Sequence, residues 1–248
     1  MDVDPARPNR NNSIVILPLD PDYIPQVLQT YLTGYDIDET WLSHPDVMTA
    51  EKFALSLEHF PEGQYMAFDA ATDRVVGMSS SMIIDYDISQ PLMKPWRKTT
   101  AGGALTTHNP RGNWLYGVDC VVLPEYRGKG VGGRLIKARF DVVKRRNLHG
   151  MIAGSMPIDY HLAAAEGVTI EDYVADVVAG RRWDTNLSKQ IKKGFRVRNI
   201  IPNYLTDTPE TLDYAVAIVR ENDAYRAPAA RPVTAIRQPQ ATRPYRKP

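Results

Sequence analysis

The residues of this chain best suited to chemistry lie at positions 122–133: Val122-Leu123-Pro124-Glu125-Tyr126-Arg127-Gly128-Lys129-Gly130-Val131-Gly132-Gly133. An apolar, β-prone run stops at Pro124, a glycine-rich turn follows, and an amphipathic helical pattern begins at Val131. The first turn of a helix carries backbone N–H groups without intrahelical partners, and the helix dipole adds partial positive charge there. Glycine lets an anion approach such amides closely, and Arg127 and Lys129 bring further positive charge. The chemistry predicted is the grip of a phosphate-bearing ligand.

Three readings compete for the turn. A nucleoside-triphosphate loop needs Lys-Ser or Lys-Thr after its last glycine, and that pair is absent. Gly128, Gly130 and Gly133 have the spacing of a dinucleotide-binding turn, which would make the chain an NAD(P)-dependent oxidoreductase. That turn comes more than 110 residues into the chain, behind antiparallel-looking segments, with no clear acidic ribose ligand on the next strand. The third reading is a tight turn with ordinary capping.

The elements that must position the turn follow from periodicity and punctuation. Ser13 to Leu19 reads as a strand, and Asp20-Pro21 as a helix cap with a first-turn proline. Ile24, Val27, Leu28, Tyr31 and Leu32 then share one face before Gly34. Thr49 to His59 reads as a second helix, and Gln64 to Asp69 with Arg74 to Asp85 as a hairpin turning at Ala71-Thr72-Asp73. Tyr86 to Asn113 is turn-rich and aromatic; a connection this long is functional, disordered or hides an element, so it is a candidate substrate-side loop. Trp114 to Leu123 is strongly β-prone. A helix over Val131 to Arg146 places Leu135, Ile136, the Arg139 stem, Phe140 and Val143 at helical spacing. Leu148 to Ala153 is the next strand. Thr169-Ile170-Glu171-Asp172 has capping-box form and opens a helix ending at Gly180; Thr185 to Lys193 is a shorter helix, and Phe195 to Ile201 and Tyr214 to Val219 are the last strands.

At 248 residues and 43% hydrophobic content, the chain has material for one sizeable core, an α+β or α/β domain over 13–222. Residues 1–12 read as a flexible lead and 223–248 as a disordered basic tail rich in Pro and Arg. The formal charge is only +1, and six basic residues with no acidic one lie between Arg226 and Pro248, so the remaining body is mildly acidic. This balance gives no overall attraction to nucleic acid or anionic membrane, and the tail reads as a solvated extension. A single cysteine, Cys120, excludes an internal disulfide or a multi-cysteine metal site, and the five histidines show no metal-ligand spacing, so no metal is expected. No apolar run reaches the roughly 18 residues of a membrane span, and the start lacks the grammar of a signal peptide. A cytoplasmic protein is the expectation.

Arg127-Gly128-Lys129-Gly130-Val131-Gly132, preceded by Val122-Leu123-Pro124, resembles the Gln/Arg-x-x-Gly-x-Gly/Ala acyl-CoA pyrophosphate motif of the GNAT family of N-acetyltransferases. The order of elements from Ser13 to Val219 is similar to that family's, and Gly194-Phe195 resembles the pair opening its sixth strand. Leu148 to Tyr160 and Trp183 to Tyr204 further resemble the acetyltransferase domains that accompany carbon-nitrogen hydrolases in bacteria, with Ser155, Met156 and Ile158 departing from that pattern. The resemblance implies a GNAT acyl-CoA N-acyltransferase fold, α/β (α+β) in class, with a mixed, mostly antiparallel central sheet flanked by helices. It implies acetyl-CoA as co-substrate and acyl transfer to a small-molecule or protein amine by direct attack in a ternary complex. It further implies that the amides of Arg127, Gly128, Lys129, Gly130, Val131 and Gly132 hold the pyrophosphate. Backbone groups of Val122 and Leu123 would pair with pantetheine, and the thioester would lie where the fourth and fifth strands splay. Edge strands of this fold type often pair between subunits, so a homodimer is compatible with it.

Direct attack requires a base for the ammonium proton and a donor for the oxyanion. Asp119 is the first candidate base or amine-orienting group, being a charge inside an apolar strand; its alternative is a structural bond to the 86–113 loop or to a basic partner. His108 is either a base acting through water or a solvated loop residue. Gln190 stands where the family often has a tyrosine acid, which leaves Tyr160 and Tyr173 as stand-ins or as packed aromatics. Cys120 points away from Asp119 on a regular strand and reads as core rather than nucleophile. Trp96, Trp114 and Tyr116 either line an acceptor pocket or seal the long loop. Because of Gln190, a non-catalytic acyl-CoA-binding or sensing module stays open beside the transferase.

Overall fold

The computed structural model describes residues 13–227. It opens with β1 (Ile14–Pro18), and Asp20 caps a 3-10 turn over Pro21–Tyr23 that runs into α1 (Ile24–Gly34). The Thr49 hydroxyl accepts the Lys52 N–H at 3.3 Å and starts α2 (Ala50–His59), relieving one orphan amide of the helix. β2 (Tyr65–Asp69) and β3 (Arg74–Ile84) form the hairpin. The long connection contains α3 (Trp96–Thr100) and leads into β4 (Trp114–Val122), followed by α4 (Val131–Arg145) and β5 (Gly150–Ser155). The chain then forms α5 (Tyr160–Ala165), α6 (Ile170–Val178), α7 (Leu187–Ile191), β6 (Arg196–Ile201) and β7 (Ala215–Glu221).

The described strands make one seven-stranded sheet in the order β1-β2-β3-β4-β5-β7-β6. Every neighbouring pair is antiparallel except β4 with β5, so the sheet is mixed and mostly antiparallel. Helices cover both faces. On one, Val27, Tyr31, Phe53 and Trp96 pack with Met78, Met82 and Tyr116; on the other, Phe140, Val143, Tyr173 and Leu187 pack with Leu115, Met151 and Ile218. Burial of these two apolar layers is the main force holding the helices to the sheet.

The structure differs from the sequence expectation in places. α5 was not foreseen. β5 begins two residues later than read, because Leu148 tucks under the end of α4, its N–H bonded to Val143 C=O at 2.9 Å. Of the readings open for the 86–113 connection, the hidden element is present as α3, and the connection is pinned: Trp96 N–H donates to Tyr204 C=O, and Tyr86 and Asn113 exchange hydrogen bonds through the Asn113 amide. Trp96, Trp114 and Tyr116 are all buried, so they seal this connection onto the sheet. The packed chain also continues past Asn222, since the Tyr225 ring meets His149 edge-on and Arg226 N–H donates to Asn147. The lead and the rest of the basic tail lie outside the described residues. Among those described, no helix is long and apolar enough to cross a membrane.

Candidate active site

β4 and β5 pair only from Leu115–Met151 to Gly117–Ala153. Beyond that point β4 continues on β3 and β5 on β7, and a wedge opens between them. The cause is local to β4. Ser81 faces Gly117 and Ser80 faces Asp119, so Val118 is an extra residue, a bulge that bends the strand and strengthens its twist. The Trp96 indole N–H takes up the Val118 carbonyl at 3.3 Å, which keeps the bulge satisfied.

The backbone groups facing the wedge follow from one hydrogen bond. Leu123 N–H donates to Val76 C=O at 3.0 Å, so by antiparallel alternation Val122 and Cys120 turn their groups away from β3. Val122 C=O is taken by Arg127 Nε at 3.0 Å, and Cys120 N–H reaches the Tyr35 hydroxyl at 3.4 Å. Of the two residues expected to pair with pantetheine, Val122 therefore presents its N–H to the wedge, whereas Leu123 turns its N–H into the sheet.

The glycine turn sits at the wide end of this wedge. Gly128 and Gly130 have φ of 76° and 79°, where a side chain is strained, and a Cβ on either would meet only open space. Among the described residues, the N–H groups of Gly128, Lys129, Gly130, Val131, Gly132 and Gly133 have no partner, whereas Arg127 N–H closes the preceding turn on Pro124. Arg127 does not project into the site either: its Nη2 donates to Gly34 C=O at 2.6 Å and braces the turn against α1. Lys129 lies over the Tyr126 ring. Lys193, which the sequence reading did not single out, flanks the turn, its Cε 3.4 Å from where a Gly133 Cβ would be. This arrangement suits an anion held by amides, with charge nearby. It sits beside a mostly antiparallel sheet, unlike the doubly wound parallel sheet a dinucleotide turn requires.

Asp119 faces α1. Its Oδ1 lies 3.5 Å from the Tyr35 hydroxyl, and Oδ2 is closed from solvent without a partner among the described residues. Burial pushes its pKa up to about 7, against the opposing pull of Arg139, the Tyr35 hydroxyl and Lys52. Such a carboxylate is suited to exchanging protons at neutral pH. The Asp119 charge also reaches Tyr31, Tyr116 and Tyr204, and helps burial hold their hydroxyls protonated. Tyr116 and Tyr204 share a 2.7 Å hydrogen bond. Burial also raises the Cys120 thiol, which disfavours a thiolate nucleophile. Among the described residues no group of three or more His, Cys, Asp or Glu is arranged to hold a metal.

The Acetyltransferase (GNAT) family profile matches residues 30–160. Over 176 residues the chain is 30% identical to the "Uncharacterized N-acetyltransferase YkwB" of Bacillus subtilis (strain 168), covering 71% of this chain and 76% of that protein. The chain belongs to the GNAT family. It is also 38% identical over 170 residues to the "Probable hydrolase YhcX" of the same organism, a match that takes in 68% of this chain and 32% of YhcX. This chain thus spans about a third of that relative's length. Among solved structures, the GphF GNAT-like decarboxylase in complex with isobutyryl-CoA superposes with a TM-score of 0.68 at 18% identity, covering 84% of this chain and 98% of GphF. The loading GNATL domain of CurA from Lyngbya majuscula gives 0.60 at 13% identity, covering 84% and 97%. At these identities the likeness is one of fold.

The other candidate residues of this GNAT chain stand apart from Asp119. His108 Nδ1 accepts the Ile83 N–H at 3.1 Å, and its ring stacks on Phe60 with centroids 4.6 Å apart; burial lowers its pKa. Phe60 and Ile83 belong to the α4 side of the sheet, whereas Asp119 faces α1. Tyr160 packs against Tyr173 and Tyr214, its hydroxyl 3.5 Å from Val168 C=O. The Tyr173 hydroxyl donates to Asp184 at 2.8 Å. Asp184, fully buried, also accepts the N–H groups of Leu187, Asn186 and Asp159, tying α6, α7 and the loop after β5 together. The Trp183-to-Tyr204 stretch noted in the sequence thus begins at a structural knot centred on Asp184 in this GNAT chain. Gln190 Oε1 is buried and unpartnered among the described residues.

Proposed function

We propose that this GNAT chain is an acyl-CoA-dependent N-acyltransferase, with acetyl-CoA as the simplest donor and a small-molecule or protein amine as acceptor. The free amides of residues 128–133 hold the pyrophosphate, and pantetheine lies along β4 past the Val122 N–H toward the bulge. The amine enters from the α1 side, where Asp119 takes its proton. Its nitrogen then attacks the thioester carbonyl, the C–N bond forms, the C–S bond breaks, and the CoA thiolate leaves and is protonated. The observation that carries this reading is a half-buried carboxylate, its Oδ2 closed from solvent and its pKa raised to about 7, beside the point where β4 and β5 part. Such a group is in the right protonation state to accept a proton at neutral pH.

Gln190 favours a second reading, an acyl-CoA-binding module without turnover, because it occupies the place where the family often supplies a tyrosine acid. Calorimetry with CoA, followed by thiol release from acetyl-CoA over a panel of amines, separates the two. Binding without release supports the module, release supports the enzyme, and no binding removes both. The YhcX match supports kinship with acetyltransferase domains that accompany hydrolases, and a reducing cytoplasm suits the free Cys120.

A further inference from the structure

Arg139 is the only basic residue among the buried ones described, 4% exposed, and it lies on α4 under the apex of the wedge. A Cβ built on Gly117 would lie 3.0 Å from its Nη1, 2.7 Å from Met151 Cε and 3.3 Å from Ala153 Cβ. Glycine within this strand therefore leaves the space the guanidinium fills. The group offers five N–H donors and remains charged. Its hydrogen bonding is meagre: Nη1 reaches Asp119 C=O at 3.5 Å, and Nε is closed from solvent without a partner among the described residues. No ion pair engages it among those residues, because the Asp119 carboxylate lies on the opposite face with Tyr35.

The bulge explains this separation. On a regular strand Leu115, Gly117 and residue 119 share the α4 face. The extra residue at Val118 sends the Asp119 carboxylate to the α1 side, so that it feels the Arg139 charge but forms no direct ion pair with it. A buried guanidinium without an anion is costly, and a bidentate carboxylate is its best complement. The acyl end of the bound donor is in reach. Gly117 lies six positions before Leu123, roughly 20 Å of strand, so a ligand anchored by its diphosphate at the turn and running along β4 brings its terminal group toward Arg139.

We infer that Arg139 selects the acyl group: the donor is an acyl-CoA whose chain ends in a carboxylate, of the malonyl or succinyl class, and Arg139 pairs with that carboxylate. This rests on the acyl-CoA reading above. The test is calorimetry on the full chain with CoA, succinyl-CoA and butyryl-CoA, the last two matched in length and differing in carboxylate against methyl. Malonyl-CoA and propionyl-CoA form a second pair. The carboxylate-ended member of at least one pair binds about tenfold tighter or better, and Arg139→Gln removes that preference, read as a ratio on the same sample, while Arg139→Lys keeps part of it. Equal affinity within both pairs for the unaltered chain overturns the assignment, whatever the variants do. So does an Arg139→Gln variant that keeps the preference, or one that slows transfer of all acyl groups alike, the mark of a guanidinium serving the leaving thiolate. If CoA itself fails to bind, the acyl-CoA reading falls and this inference with it; if CoA binds and neither pair is discriminated, only the role of Arg139 falls.

Discussion

Replacing Asp119 by asparagine keeps the shape of the side chain and removes the proton acceptor. The ordinary carboxyl pKa of 3.8 is raised to about 7 by burial in the folded chain. Between those two values the native protein holds a proton that the unfolded chain has released, so stability is fullest below about pH 4 and declines as pH rises through about 7. At about 1.4 kcal/mol per unit, the shift sets an upper bound of about 4 kcal/mol, and water entering the wedge reduces it to roughly 1–3 kcal/mol. Asp119→Asn lacks this titration. In urea unfolding series from pH 4 to pH 8, the variant therefore gains on the wild type as pH rises, with the difference vanishing near pH 4. In catalysis the direction reverses: wild-type turnover at saturating amine climbs about tenfold per pH unit up to about 7 and then levels, whereas the variant loses about 10²–10⁴ in rate together with that inflection. A variant that keeps the inflection, or whose stability falls with pH as steeply as the wild type's, shows that Asp119 is not the group titrating near neutrality.

Gly130→Val places a side chain in the left-handed region and over the open amides; unfolding should show a loss of about 1–2 kcal/mol, and calorimetry a weakening of CoA binding well beyond what that loss of stability explains. His108→Ala strips the Ile83 N–H of its acceptor and should lower stability by about 1–3 kcal/mol, while the pH profile of turnover keeps its shape, since the imidazole stands on the other side of the sheet from Asp119. Asp184→Ala leaves three amides and the Tyr173 hydroxyl without their acceptor; a loss on the order of 3–5 kcal/mol is expected, with hydrogen exchange of α7 rising first.

Much of the fold was legible because its signals are local. Thr49 and Thr169 each accept the N–H of the residue three further on, as their spacing announces. The hairpin of β2 and β3 was legible from the polar turn at Ala71-Thr72-Asp73 between two strand-like runs, which needs no distant partner to be recognised. α5 left no such mark. Its six residues lack a side-chain cap, since Asp159 Oδ2 accepts the Thr185 N–H instead, and Tyr160 is held by Tyr173 and Tyr214. A helix this short is decided by tertiary packing rather than by its own propensity. Asp184 likewise carried no hint of its burial, because its partners come from three separate segments.

The site divides along the same line. The open amides of the glycine turn were readable, since glycines with a following helix are enough to free the groups proposed to bind the diphosphate. Asp119 stood out as a charge in an apolar strand. What no period reveals is a one-residue slip: Val118 is an ordinary strand residue, yet its insertion against Ser80 and Ser81 reverses the face of everything after it. Helical spacing puts Arg139 on the apolar stripe of α4, and strand alternation alone would have set Asp119 opposite it as an unremarkable buried ion pair. Parting the two leaves a carboxylate free to titrate on one face of the sheet and a cation free to take an anion on the other. The departure from regular geometry at one valine is therefore what separates the proposed base from the proposed acyl-group selector in this chain.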